Sequence, residues 1–315
     1  MMMPDDTEKN YYHRQVELLL KILPHVAKEN DIFALKGGTA INFFIRDMPR
    51  LSVDIDLTYL PIESREITLV RLEESLVRMK QDVMRHHPDI VVREKRTQSE
   101  GRLNKLLIVE KDVLIKIEPN EILRGSVFPC ELRSLSRRVE DLFGLAITDM
   151  PVLSVADLYG GKICAALARQ HPRDLFDVKL LLENEGITDS IRQALVVYLA
   201  SSPRPIHELL NPSPVLQDLR KAYEDGFVGM TQLTVTYEEL VSIRMGLTRH
   251  LLESFTVNER KFLLSIKSDQ SDWKLMPIAG IEKLPALEWK VRNIRKMDSE
   301  KHQVALNNLR KLLEI

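Results

Sequence analysis

The sequence predicts an α+β chain in two parts: a mixed sheet flanked by helices over residues 1–150, then an α-helical domain over residues 151–315. Three observations predict it. In the first half, short apolar runs alternate with long amphipathic ones in the order strand, helix, strand, helix, strands. From Ser154 onward the apolar residues recur at helical spacing. Between the halves, Asp149-Met150-Pro151 punctuates the chain, and 315 residues is a length that suits two domains.

Taken in order, residues 8–28 carry Val16, Leu19, Leu20, Ile22, Leu23 and Val26 at helical spacing, which predicts an amphipathic helix. Phe33 to Lys36 is a short apolar run ended by Gly37 and Gly38, so it reads as a strand. Thr39 is placed to cap a short helix starting at Ala40. A second strand passes through Val53, Ile55 and Leu57 and ends at Pro61-Ile62. Ile67, Val70, Leu72, Leu76, Met79 and Val83 predict a helix over 65–86, stopped near Pro88. Three strand-like runs follow, Ile90–Glu94, Leu103–Glu110 and Val113–Glu118, the last two joined by a tight turn at Lys111-Asp112. Leu142–Ile147 is a candidate further strand. In the second half, Ser154 and Asp157 form a variant capping box for a helix to about Arg169, and His171-Pro172 breaks it. Arg173 begins the next helix, and others are expected at 188–200, 214–224, 236–252, 256–267 and 299–313. The Pro-rich stretch 201–214 reads as a loop. Residues 273–290 read as an irregular connection that packs Trp273 and Trp289 on the helices.

Composition narrows the function classes. The hydrophobic fraction of 44% is that of a globular protein able to bury a core. Net charge is −1, so a nucleic-acid partner would be held by local patches rather than a global field. Candidate patches are Arg93-Glu94-Lys95-Arg96 with Arg102 and Lys105, Arg133 with Arg137-Arg138, and Lys290, Arg292, Arg295 and Lys296. Taken singly, each reads as a solvated face. The start, Met1-Met2-Met3-Pro4-Asp5-Asp6, is unlike a signal peptide, and no apolar run approaches the roughly 20 residues that span a bilayer. The two cysteines, Cys130 and Cys164, imply no disulfide framework, so a cytoplasmic location is expected. His86-His87 has no Cys or carboxylate pattern around it, and zinc is not expected.

The chemistry concentrates in residues 33–60. Gly37 and Gly38 permit positive φ and close approach of backbone to a ligand. A helix N-terminus with free N–H groups and the Thr39 hydroxyl suits a triphosphate. Asp54 and Asp56 lie one residue apart on an apolar strand, so both point the same way. Two such carboxylates suit hard cations such as Mg²⁺. A phosphate cradle beside a carboxylate pair means two-metal phosphoryl or nucleotidyl chemistry. Ser52 shares that face, where it would touch phosphate or hold an aspartate. Arg50 would contact the same anion or pair with an acidic neighbour. On the later strand, Lys116 and Glu118 share one face. A second cluster runs from Lys162 to Asp177: Lys162 and Arg169 lie on roughly one face of a helix, followed by Arg173, Asp174 and Asp177.

The run Gly37-Gly38-Thr39, a short helix, then Arg50-x-Ser52-x-Asp54-Ile55-Asp56-Leu57 resembles the nucleotidyltransferase signature of the DNA polymerase beta superfamily. In its particular form it resembles the abortive-infection AbiEii toxin family. Lys162-x(6)-Arg169-x(3)-Arg173-Asp174-x-x-Asp177 is similar to a motif in the helical part of that family. The resemblance implies a polymerase-beta-like domain, with the helical domain completing the active-site cleft. It implies two Mg²⁺ ions at Asp54 and Asp56, with Glu118 as a third carboxylate that binds metal and activates the attacking hydroxyl. Gly37, Gly38, Thr39 and Lys162 would grip the triphosphate of an NTP. Arg173 would stabilise phosphate or position the base, Asp174 would orient the cations or the acceptor hydroxyl, and Asp177 with Arg169 would support them. It further implies the toxin of an AbiE-type toxin–antitoxin pair used in phage defence or plasmid maintenance, with tRNA 3′ ends as acceptor and a winged-helix antitoxin as partner. The alternatives are a nucleotidyltransferase acting on a protein hydroxyl or a small molecule, and a non-catalytic nucleotide-binding regulator.

Overall fold

The computed structural model describes residues 6–211 and 218–315. Expectations for residues 1–5 and 212–217, including Pro212, Pro214 and the first turn of the helix expected at 214–224, lie outside the described residues. The chain forms two compact units, Met1–Ser154 with Val228–Thr234, and Val155–Phe227 with Val235–Ile315.

In the first unit, α1 (Asp6–Ala27) precedes β1 (Phe33–Lys36). One helical turn, α2 (Gly37–Ala40), runs directly into a π turn (Ile41–Ile45). Then come β2 (Asp54–Tyr59), α3 (Arg65–His86), β3 (Val91–Arg96), β4 (Leu103–Glu110), β5 (Val113–Asn120), β6 (Glu131–Arg133), α4 (Arg137–Phe143) and β7 (Met150–Val152). The strands make one mixed sheet in the order β3-β4-β5-β2-β1-β7-β6. β2 runs parallel to β5 and antiparallel to β1. Lys111 and Asp112 close the β4–β5 hairpin, with Lys111 at a φ of 56°.

Side-chain alternation gives the sheet one dry face. Ile55, Leu57, Tyr59, Leu106, Ile108, Ile115 and Ile117 are fully buried there, beneath α1 and α3. The six apolar residues predicted for the inner face of α1 are at most 2% exposed, each contributing about 1.5–3 kcal/mol of transfer free energy. On α3 the inner stripe is Leu72, Leu76, Met79 and Val83. Ile67 and Val70 of the first turns, expected in that stripe, are instead exposed. The opposite face carries the alternate residues Asp54, Asp56, Lys116 and Glu118, all half-buried.

One expected strand is displaced. Residues 142–147 are the end of α4 and a loop, and pairing moves to β6 and β7, with β7 parallel to β1. Gly144, left-handed at a φ of 62°, stops α4 there.

The second unit is helical: α5 (Val155–Arg169), α6 (Pro172–Glu183), α7 (Asp189–Ser201), α8 (Ile206–Leu209), α9 (Leu219–Gly226), α10 (Tyr237–Ser254), α11 (Val257–Lys267), α12 (Pro285–Arg295) and α13 (Ser299–Leu313). α5 packs between α6 and α7. Gly160 makes this possible, since a Cβ there would lie 2.8 Å from the Leu195 backbone nitrogen. Thr236 with Glu239 and Thr256 with Glu259 form complete capping boxes. The expected irregular connection is half helix. Pro285 sits at the first position of α12, where its missing N–H costs nothing. Trp273 packs on Phe262 with ring centroids 5.9 Å apart, but Trp289 is 48% exposed rather than packed.

Candidate active site

The first cluster is assembled entirely within the first unit. Gly37 has a φ of 72°, a left-handed value that favours glycine. It is also pressed against the carboxylate: an added Cβ would lie 2.5 Å from Asp56 Oδ2. Gly38 has the same closeness to a different group, 2.6 Å from Arg50 Nη2 and 2.9 Å from Ser52 Oγ. The two glycines therefore thread the turn between a carboxylate on one side and a buried guanidinium on the other.

One expectation changes here. Thr39 is not an N-cap, because the helical turn already starts at Gly37 with Lys36 preceding it. Thr39 is fully buried, and its hydroxyl donates to the Asp54 carbonyl oxygen at 2.6 Å and lies 3.0 Å from Ser52 Oγ. It thereby ties the helical turn to the start of β2. Ser52 lies ahead of β2, only 6% exposed, with its Oγ beside Thr39 Oγ1 and close against the Gly38 backbone. Arg50 is 3% exposed, and its Nη1 donates to the Leu51 carbonyl at 2.8 Å.

The Arg50–Ser52 stretch has a brace the sequence does not announce. Leu51 N–H donates to the Met230 carbonyl at 2.7 Å, and Thr231 Oγ1 donates to the Pro49 carbonyl at 2.7 Å. Arg50 and Thr231 also form an isolated β-bridge. The Val228–Thr234 segment thus returns to the first unit and clamps the approach to β2.

Sheet register places the carboxylates. Asp56 is opposite Lys36 on β1 and opposite Glu118 on β5, while Asp54 is opposite Lys116. Paired residues share a face, so Asp54, Asp56 and Glu118 stand together on the open side. Glu118 is ion-paired to Lys105 of β4. The donors offered are carboxylate oxygens on rigid strands, with no nitrogen or sulfur ligand among the three, which suits a hard divalent cation.

The second cluster lies within the helical unit. Lys162 of α5 is 7% exposed, and its Nζ is 3.0 Å from Asp174 Oδ1 and 3.1 Å from Asp177 Oδ2. Arg169 at the end of α5 grips Asp174 with two bonds, Nε at 2.6 Å and Nη2 at 3.0 Å. Both aspartates are 1% exposed. Burial pushes the Asp174 carboxyl up, but Lys162 and Arg169 outweigh it and hold the group well below the usual carboxylate range. The immediate partners of Lys162 are therefore the two carboxylates expected to orient and support it. Two buried carboxylates need a buried cation. His171 caps α6, its Nδ1 accepting from the Arg173 N–H at 3.2 Å.

One side-chain cluster escaped the sequence reading. His25 Nδ1 is 2.6 Å from Asp82 Oδ2, and His86 Nδ1 is 3.3 Å from Asp82 Oδ1. The three offer ligand atoms within 4.8 Å of one another. A carboxylate thus does stand beside His86-His87, and the missed signal was Asp82 four residues earlier on one helix face. Lys28 pairs with the same carboxylate. Burial raises the Asp82 carboxyl, but Lys28 and His25 bring it down to about 2.

A family model described as nucleotidyl transferase AbiEii toxin, Type IV TA system, matches residues 18–293. No curated protein sequence matches the chain. Among solved structures, the nucleotidyltransferase toxin MenT4 from Mycobacterium tuberculosis superposes with a TM-score of 0.60 at 13% identity, covering 96% of this chain and 94% of that one. The two share a fold. Terminal uridylyl transferase 4 from Trypanosoma brucei with bound dUTP aligns over 96% of both chains at 13% identity, but its TM-score of 0.29 is too low to bear on the fold. No described helix is long and apolar enough to cross a membrane.

Proposed function

This chain belongs to the AbiEii nucleotidyltransferase toxin family, and from that premise we propose that it is an Mg²⁺-dependent cytoplasmic toxin that adds nucleotides from NTP to the 3′ end of tRNA. Extension there would block aminoacylation and arrest translation, as part of phage defence, with a winged-helix antitoxin as its cognate partner. The observation that carries the catalytic part is the pairing of Asp54 and Asp56 on one face of β2, with Gly37 pressed against Asp56.

In this reading the acceptor 3′ hydroxyl attacks the α-phosphate in line, the α–β bridge bond breaks, and pyrophosphate leaves. Asp54 and Asp56, with Glu118, would hold two Mg²⁺ ions, which lower the pKa of the acceptor hydroxyl and neutralise triphosphate charge. The chain's own part is placement. The backbone of Gly37 and Gly38 lies against the phosphates, and Glu118 receives the hydroxyl proton. Thr39, Ser52 and Arg50 act beneath the turn, fixing it to β2. Lys162, Arg169, Arg173, Asp174 and Asp177 are retained as the enzyme's second motif. The support is that the family match spans them as well as the first cluster.

The test is incubation of wild type and Asp56→Ala with labelled NTPs, Mg²⁺ and total RNA. Wild type labels tRNA, the label maps to its 3′ end, and Asp56→Ala loses it. Label on a protein or small molecule instead would overturn the acceptor. Equal activity of the variant would overturn the metal assignment. Induction of the wild-type gene slows growth and Asp56→Ala does not.

A further inference from the structure

The open face of the sheet carries two cationic rows that end at the two aspartates. In the first, Arg93 of β3 is opposite Leu107 of β4, Leu107 is opposite Lys116 of β5, and Lys116 is opposite Asp54. In the second, Lys95 of β3 is opposite Lys105 of β4, Lys105 pairs with Glu118, and Glu118 is opposite Asp56. Strands lie about 4.8 Å apart, so each row runs about 14 Å from the edge of the sheet to β2.

The two faces of β3 treat charge differently. On the dry side, Glu94 pairs with Lys80 of α3 and Arg96 pairs with Glu94 and Glu73. On the open side, Arg93, Lys95 and Lys116 make no ion pair among the described residues. Lys95 and Lys105 face each other as like charges, an arrangement that costs a sheet stability. Edge strands do carry charge to deter pairing with other chains. That accounts for Arg93 and Lys95 on β3, but not for Lys116, which is on an interior strand beside Asp54.

Resting on the RNA-acceptor reading above, we infer that Arg93, Lys95 and Lys116, with Lys105, bind the phosphodiester backbone of the acceptor RNA close to its 3′ end. A single strand laid on these rows delivers its terminal hydroxyl to Asp54 and Asp56. Backbone contacts of this kind position a strand without reading its sequence.

The test is anisotropy of a fluorescein-labelled tRNA transcript titrated with protein, without NTP, across a range of salt. Arg93→Glu/Lys95→Glu weakens binding at least tenfold. It flattens the dependence of log K on log salt by about 1–2, the loss expected for two phosphate contacts. The KM for RNA rises in parallel while the KM for NTP stays within threefold. The control is Arg65→Glu/Arg85→Glu, the same charge change on α3, which leaves RNA binding within threefold; circular dichroism confirms that both pairs fold. Equal loss in both pairs, or no loss in the first, overturns the inference. If wild type extends and binds the transcript but the sheet-face pair does so equally well, only this inference fails. If wild type neither binds nor extends RNA, the acceptor reading fails and takes the inference with it.

Discussion

Gly37→Ala is the sharpest perturbation of the site, because it acts on geometry without removing a functional group. The backbone at Gly37 has a φ of 72°, where a non-glycine residue costs roughly 1–2 kcal/mol. The new methyl would lie 2.5 Å from Asp56 Oδ2, and ordinary contact begins at 3.4 Å, so the carboxylate must retreat by about 0.9 Å. A misplacement of about 1 Å in a positioned catalytic group costs on the order of 10²-fold in rate. Gly37→Ala therefore loses on the order of 10²-fold in kcat for nucleotide transfer, while its melting temperature falls by only a few degrees. The assay is steady-state incorporation of labelled nucleotide at saturating NTP and RNA, with calorimetry alongside. Gly38→Ala is the comparison. Its methyl meets the buried Arg50 guanidinium and Ser52 rather than a carboxylate, so its penalty appears mainly in stability. A Gly37→Ala enzyme within threefold of wild-type kcat would refute the claim that this glycine sets the position of Asp56.

Other consequences are more local. Asp174→Asn strips the buried cluster of the carboxylate that Lys162 and Arg169 share, and costs about 3 kcal/mol by guanidinium unfolding at pH 7. The folded-state pKa of Asp174 is depressed, so its stabilisation is complete above the unfolded carboxylate value of about 4 and is lost as pH falls through the lower folded value. The gap between wild type and Asp174→Asn must therefore narrow below about pH 4, and a constant gap would rule out Asp174 as the charged partner. Lys111 occupies a left-handed position in the β4–β5 hairpin, where asparagine is better tolerated. Lys111→Asn should raise stability by about 0.5 kcal/mol, and a loss of that size would exclude the turn geometry.

What the sequence disclosed follows from how local each signal is. β4 and the length of α3 were legible to the residue because alternation and helical period repeat along the element. Asp54 and Asp56 were legible because a strand's alternation dictates that they share a face. Thr39 was misread because capping chemistry is local, whereas the starting residue of the turn is not. The helix begins at Gly37, which carries Thr39 inward onto Asp54 and Ser52. The start of α12 was read as part of an irregular connection, although Pro285 sits at its first position, where the ring that stops a helix from within can start one. The brace from Met230 and Thr231 to Arg50 had no signal at all, since a pairing across some 180 residues leaves no period in the chain.

Glu118 is where local pattern and register together make an argument that neither makes alone. Alternation says only that Glu118 shares a face with Lys116. Register sets it beside Asp56, and the ion pair to Lys105 offers a competing, purely structural account. The two accounts diverge under paired substitution. If Glu118 takes the hydroxyl proton, Glu118→Gln lowers kcat on the order of 10²-fold at saturating RNA and NTP. Lys105→Met then leaves kcat within tenfold and acts on the KM for RNA, because the carboxylate remains. If Glu118 serves only to balance Lys105, the two substitutions give the same small change in kcat. That result would remove Glu118 from the chemistry while leaving Asp54 and Asp56 as the proposed metal-holding pair.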